Sequence, residues 1–146
     1  MPQDMSAAHT LAQQVLGYET TQGTPAELPG HAAVRACEKL RVWFSRFAGV
    51  AWFCPILARA LILAQRDAPW LASVEVTADG ALAGFGEGAQ ARDPAAAVAG
   101  ALALLTQFFG LLHTFVGEAM TLRLLADVWP GAPFGTIPPG MQENDR

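Results

Sequence analysis

Charged side chains are scarce in this sequence. They make up 15% of its 146 residues, whereas soluble domains usually carry about 25%. Such a chain must cover much apolar surface with its own core, a second copy, a partner or a bilayer. Acidic residues outnumber basic residues by 13 to 9, so the net charge is −4. This balance argues against a nucleic-acid-binding protein, which needs a basic surface.

Cysteine is also rare. Cys37 and Cys54 are the two thiols of the chain, and their spacing fits neither a disulfide framework nor a zinc motif. Their apolar surroundings predict unreactive core side chains. The first ten residues, MPQDMSAAHT, contain an acid and no apolar run, which is not the pattern of a secretory signal. These features together favour a cytoplasmic location.

Helical periodicity dominates the rest of the sequence. Apolar residues recur at three- and four-residue steps, which predicts four helices, over residues 6–17, 31–48, 55–67 and 94–129. Asp93 and Pro94 suit the start of the last helix, because a carboxylate caps free N–H groups and proline needs no donor there. Pro55 is expected to begin the third helix for the same reason, and Gly117 is expected to bend the fourth.

One segment between the third and fourth helices departs from the helical period. Residues 73–78 and 81–86 alternate apolar and polar side chains on either side of Asp79 and Gly80. Asp-Gly between two alternating runs predicts a β-hairpin with a two-residue turn. Two stretches rich in turn residues are predicted to be loops, residues 19–30 and 84–94.

These elements define the expected fold. We predict a mainly α domain of the α+β type, with about four helices and one β-hairpin before a long C-terminal helix. The domain covers residues 1–129 and the hairpin lies at 73–86, whereas residues 130–146 form a tail rich in proline and glycine.

Polar side chains interrupt the apolar run of the long C-terminal helix. Gln107, His113 and Glu118 belong to a stripe of polar or small residues at helical spacing. The stripe could face solvent or a close helix, form the polar seam of a dimer, or hold His113 as a catalytic base, phosphate acceptor or axial ligand. A buried imidazole without a partner is costly. We therefore expect the ring of His113 to form a hydrogen bond with a backbone carbonyl, Gln107, the Gln107 of a second copy or Thr10.

The same helix carries more apolar surface than a small domain usually covers. This surplus predicts a symmetric homodimer. Four residues are expected near its interface, Leu105, Phe109, Leu112 and Phe115.

The helix over residues 31–48 combines basic and aromatic side chains. Its basic face contains Arg35, Lys39, Arg41 and Arg46. This face could bind an acidic protein partner or an anionic membrane surface, but an ordinary solvated helix face has the same composition. Aromatic residues follow beside it, Trp43, Phe44, Phe47, Trp52 and Phe53. They indicate core packing or, where exposed, a partner site.

A membrane protein is the main alternative. Residues 94–117 contain no charged side chain and have the length of a bilayer span. Residues 47–65 form a second candidate, but Pro55 and Arg59 lie within it. This alternative has two spans in an inner membrane, with the basic helix on the cytoplasmic side. The cost of a central arginine and the hairpin between the segments favour a soluble domain.

No pattern in the sequence supports catalysis or metal binding. His9, His31 and His113 are too scattered to suggest metal ligands. The glycines of residues 84–88 lie before a helix start, yet they lack the spacing of a dinucleotide-binding fingerprint. We therefore assign no catalytic residue, metal or cofactor.

The C-terminal part offers one weak resemblance. The sequence FVGEAMTLRLLADVWP, residues 115–130, resembles helical segments of bacterial sensory proteins, which implies a role in signalling. The favoured function is a small, non-enzymatic regulatory or protein-interaction module that self-associates through its C-terminal helix. The two-span membrane protein is one alternative. A binder of a small hydrophobic ligand or cofactor near His113 is the other.

Overall fold

The computed structural model describes residues 2–22, 29–91 and 93–130. These segments contain six α-helices: α1 (Pro2–Gln22), α2 (Pro29–Phe47), α3 (Val50–Ala64), α4 (Phe85–Gln90), α5 (Pro94–Val116) and α6 (Glu118–Val128). A 3-10 helix (Pro69–Ser73) and two strands, β1 (Glu75–Val76) and β2 (Leu82–Ala83), lie between α3 and α4. The predicted fold class, mainly α with a small hairpin before the long helix, is confirmed.

Helix α5 is the centre of the fold. Helices α1, α2, α3, α4 and α6 all pack against it. Several of its large side chains, such as Leu104 and Phe108, are fully buried. A helix that is apolar around its whole circumference is typical of a buried core position. The long uncharged run is therefore largely explained by the helices that surround it.

The two ends of α5 follow from local chemistry. The carboxylate of Asp93 accepts a hydrogen bond from the backbone N–H of Ala96 at 2.8 Å, which confirms the predicted cap. The helix stops at Gly117, whose φ of 88° ends the helical path. The predicted bend is therefore a break, and α6 starts as a separate helix at Glu118.

Helix α3 starts earlier than the sequence suggests. It begins at Val50, so Pro55 lies inside the helix rather than at its start. Proline has no N–H to offer the carbonyl of Ala51. The extra turn is stabilised by Phe53, which is buried against Phe44 at a ring-centroid distance of 5.6 Å. Tertiary packing thus overrides the local preference of proline.

Two predicted loops are partly helical. Residues 19–22 complete α1, and most of residues 84–94 form α4. In both places a buried side chain holds the turn, Glu19 in α1 and Phe85 in α4. Residues 23–28 of the first predicted loop lie outside the described residues, as does the predicted tail after Pro130.

The β-hairpin is present, but its strands are shorter than the predicted 73–78 and 81–86, because Ser73 and Phe85 belong to the helices on either side. Its turn also differs from the prediction. Val76 pairs with Leu82 in an antiparallel register. The N–H of Gly80 donates to the carbonyl of Thr77 at 3.0 Å, and the N–H of Thr77 donates to the carbonyl of Ala81 at 2.8 Å. Three residues, 78–80, therefore form the turn. Gly80 takes the left-handed conformation at its end, with a φ of 90°.

Candidate functional site

The predicted polar stripe is split by the break between helices. Gln107 and His113 are half-buried on α5, whereas Glu118 is exposed on α6. The Nε2 atom of His113 is buried without a hydrogen-bond partner among the described residues, so the expected bond is absent for this nitrogen. Gln107 lies six positions earlier, about 9 Å away along the helix axis, which is too far for a direct bond.

Of the four residues predicted at a dimer interface, three are buried and one is exposed. Leu105, Phe109 and Leu112 are 2% exposed or less and belong to the core of the chain itself. Phe115 is 61% exposed. A second copy can therefore reach Phe115 without opening the helices, but it cannot reach the other three.

Most of the predicted basic face of α2 is neutralised. Arg35 and Lys39 both form ion pairs with Glu19, at 3.0 and 2.5 Å. Arg41 pairs with Glu38 at 2.7 Å on the same helix. Within the described part of the chain, Arg46 is the member of this face that forms no ion pair. The face is therefore a set of charge pairs rather than a continuous basic surface.

A buried carboxylate organises this region. The side chain of Glu19 is fully buried, and its Oε2 accepts a hydrogen bond from the indole N–H of Trp129 at 2.6 Å. Arg35 also donates to the backbone carbonyl of Glu19 at 2.7 Å. Burial raises the pKa of Glu19. The hydrogen bonds from Lys39, Trp129 and Arg35 together lower it by more than burial raises it, so the pKa of Glu19 lies below the ordinary value. Glu19 therefore remains charged at neutral pH and joins α1, α2 and the end of α6.

A groove lies beside this carboxylate, between α2 and α6. It has a volume of about 370 Å³ and is open to solvent. We call it the α2–α6 groove. Its walls combine apolar and charged side chains, Glu38, Lys39, Val42, Trp43, Arg46, Asp127 and Val128. Lys39 belongs both to the groove and to the ion pair with Glu19.

Trp43 lines the groove, and Phe47 lies next to Trp43 outside the lining. The ring of Trp43 stacks on Phe47 with centroids 4.6 Å apart. Phe47 is 58% exposed and Val42 is 45% exposed. Phe47 lies three positions after the buried Phe44, yet its own side chain is exposed rather than packed in the core. Phe47 is the last residue of α2, where the chain turns and the core no longer covers that face.

A metal site or a reactive cysteine would require particular side chains at or near the groove. In the described segments no three His, Cys, Asp or Glu side chains come together as a metal site. Cys37, on the same helix, is half-buried. Burial and the nearby Glu38 carboxylate raise the pKa of its thiol to about 12, which disfavours the reactive thiolate. The groove instead offers an aromatic surface bordered by charges of both signs.

A second cavity lies between α3 and the hairpin. It measures about 510 Å³, and Cys54 and Pro55 contribute to its wall. The thiol of Cys54 donates weakly to the carbonyls of Thr77 and Ala78, at 3.6 Å each. Cys54 thereby links α3 to the hairpin, which is a structural role.

The two candidate membrane spans differ in length. Of the described helices, α5 is long and apolar enough over Ala95–Val116 to cross a membrane, and more than half of that stretch is buried inside the protein. Helix α3 has 15 residues, fewer than the roughly 20 needed for a span. Burial of α5 by its neighbours is the pattern of a core helix.

Comparison with protein families, curated proteins and solved structures finds no match to this chain. The resemblance of residues 115–130 to bacterial sensory proteins therefore stays a sequence observation.

Proposed function

We propose that this protein is a non-enzymatic regulatory module that binds another protein, and that the α2–α6 groove is its binding surface. The observation that carries the proposal is the ring of Phe47, which is 58% exposed and stacks on Trp43, a half-buried residue of the groove wall. Exposed aromatic residues beside arginine are typical anchors of protein interfaces.

The groove has rigid walls, which favours binding. Trp43 packs edge-on against Phe44 at 5.1 Å, and Phe44 is fully buried in the core. The opposite wall is fixed because Trp129, next to Val128, is bonded to Glu19. A preformed surface loses little conformational entropy when a partner binds.

Paired variants test this proposal. Phe47→Ser removes the exposed anchor, and Ile62→Ser removes an equally exposed apolar side chain (62%) from α3 as the matched control. Both variants are expected to fold, because neither side chain is buried. In affinity capture followed by mass spectrometry, proteins captured by the wild type and by Ile62→Ser are expected to be lost with Phe47→Ser. Equal capture by both variants would exclude this surface.

A further inference from the structure

The charges of the α2–α6 groove are not all available to a partner. Glu38 is paired with Arg41, and Lys39 is paired with Glu19. Arg46 and Asp127 both line the groove and form no ion pair among the described residues. One cation and one anion, placed on opposite walls, therefore have no counter-ion among the described residues.

The α2 wall nevertheless carries an excess of positive charge. Lys39 and Arg46 line this wall with one carboxylate, Glu38, which is paired with Arg41. The side chain of Lys39 is 42% exposed, so its ammonium group can contact a second carboxylate from the groove. With Arg46 beside it, this wall is locally basic in a chain whose net charge is −4.

We infer that the α2–α6 groove binds an acidic amphipathic segment of a partner protein, such as one face of a helix. An apolar side chain of the segment packs on Trp43 and Val128, and a carboxylate lies against Arg46 and Lys39. Asp127 repels a carboxylate from the α6 wall, so it fixes the orientation of the segment. This inference rests on the proposed function and specifies the chemistry of the partner.

The shape of the site favours a peptide over an anionic lipid surface. A flat membrane that reached Arg46 would also approach the carboxylates of Glu38 and Asp127 at the same groove. A narrow segment places a single carboxylate on the basic wall and avoids that repulsion. A groove of about 370 Å³ also suits one or two side chains.

The test is a selection from a displayed library of helical peptides on three forms of the 146-residue chain. The wild type is expected to enrich peptides with an apolar residue next to Asp or Glu. Arg46→Glu is expected to enrich peptides that carry Lys or Arg in place of Asp or Glu. The control Arg66→Glu changes an exposed arginine after α3, away from the groove, and is expected to enrich the same peptides as the wild type.

Affinities of one enriched acidic peptide complete the test. Arg46→Glu is expected to weaken the binding of this peptide about two- to fivefold, as is typical of partly exposed charge pairs. Asp127→Asn is expected to strengthen it about twofold, because it removes a repelling carboxylate. An unchanged charge preference on Arg46→Glu would overturn the inference and leave the proposed function standing. Peptides that bind Trp43→Ala as well as the wild type, or no enriched peptide at all, would overturn both. Binding to phosphatidylserine vesicles without peptide enrichment would overturn the inference in favour of lipid.

Discussion

The indole N–H of Trp129 donates a hydrogen bond of 2.6 Å to the buried carboxylate of Glu19, which lies 110 positions earlier in the chain. Through this bond the end of α6 is held against α1 and α2. The same carboxylate binds Lys39, so the interior of the protein and the wall of the α2–α6 groove share one ionised group. The groove keeps its shape because this contact fixes both of its sides.

Removing the charge of Glu19 is expected to destabilise the fold. Glu19→Gln leaves Arg35 and Lys39 without their shared counter-ion, although their partial exposure to water reduces the cost. We expect a loss of about 2–4 kcal/mol in the free energy of unfolding, measured by urea denaturation. Glu75→Gln changes an exposed glutamate of β1 and is the control, for which we expect less than about 0.5 kcal/mol. Equal effects of the two substitutions would refute a structural role for the Glu19 charge.

The pH dependence of stability follows from the lowered pKa of Glu19. A carboxylate with a depressed pKa in the folded state stabilises the protein fully above its ordinary value of 4.5. That stabilisation is lost as the pH falls through the lower folded pKa. The difference in stability between wild type and Glu19→Gln is therefore expected to be constant near neutral pH and to shrink below about pH 4.5. Denaturation at a series of pH values measures this difference, and one that grew on acidification would contradict the account.

A side chain at Gly100 is predicted to destabilise the fold, because the ring of Trp70 occupies the space next to it. A Cβ atom at Gly100 would clash with the ring of Trp70, whereas one at Gly17 would meet nothing within 4 Å. Both glycines are inside helices. Gly100→Ala is expected to cost about 1–3 kcal/mol through overpacking, and Gly17→Ala is expected to stabilise α1 by about 0.5–1 kcal/mol. Thermal or urea unfolding distinguishes them, and a stabilising Gly100→Ala would show that Trp70 does not occupy this slot.

Self-association through α5 remains a prediction, now centred on Phe115. We expect light scattering to detect a homodimer of the wild type at micromolar concentration without detergent. Phe115→Ser is expected to be a monomer. Its melting temperature is expected to be unchanged, since Phe115 is 61% exposed. Ile62→Ser serves as the control on α3. A wild-type protein that is monomeric under these conditions would eliminate the dimer.

Local patterns predicted much of the fold. The inward positions of α3, such as Leu57 and Ala60, are buried as their spacing indicates, and Asp93 caps α5 because a cap depends on adjacent residues. The candidate site could not be predicted in this way. Glu19 and Trp129 are joined only by tertiary packing, and no short motif links them. The exposure of Phe47 likewise depends on where the core ends, which periodicity alone does not define.

The central claim is that a partner binds in the α2–α6 groove. The chain has four tryptophans, whose indole N–H groups give separate NMR signals. Titration of the protein with a peptide selected on the wild type is expected to shift the signal of Trp43, in the groove wall, and that of Trp129, behind Lys39 and Glu19. The signal of Trp70, enclosed between α4 and α5, is expected to stay in place. A shift of Trp70 while Trp43 and Trp129 remain unchanged would place the binding surface elsewhere and contradict the account.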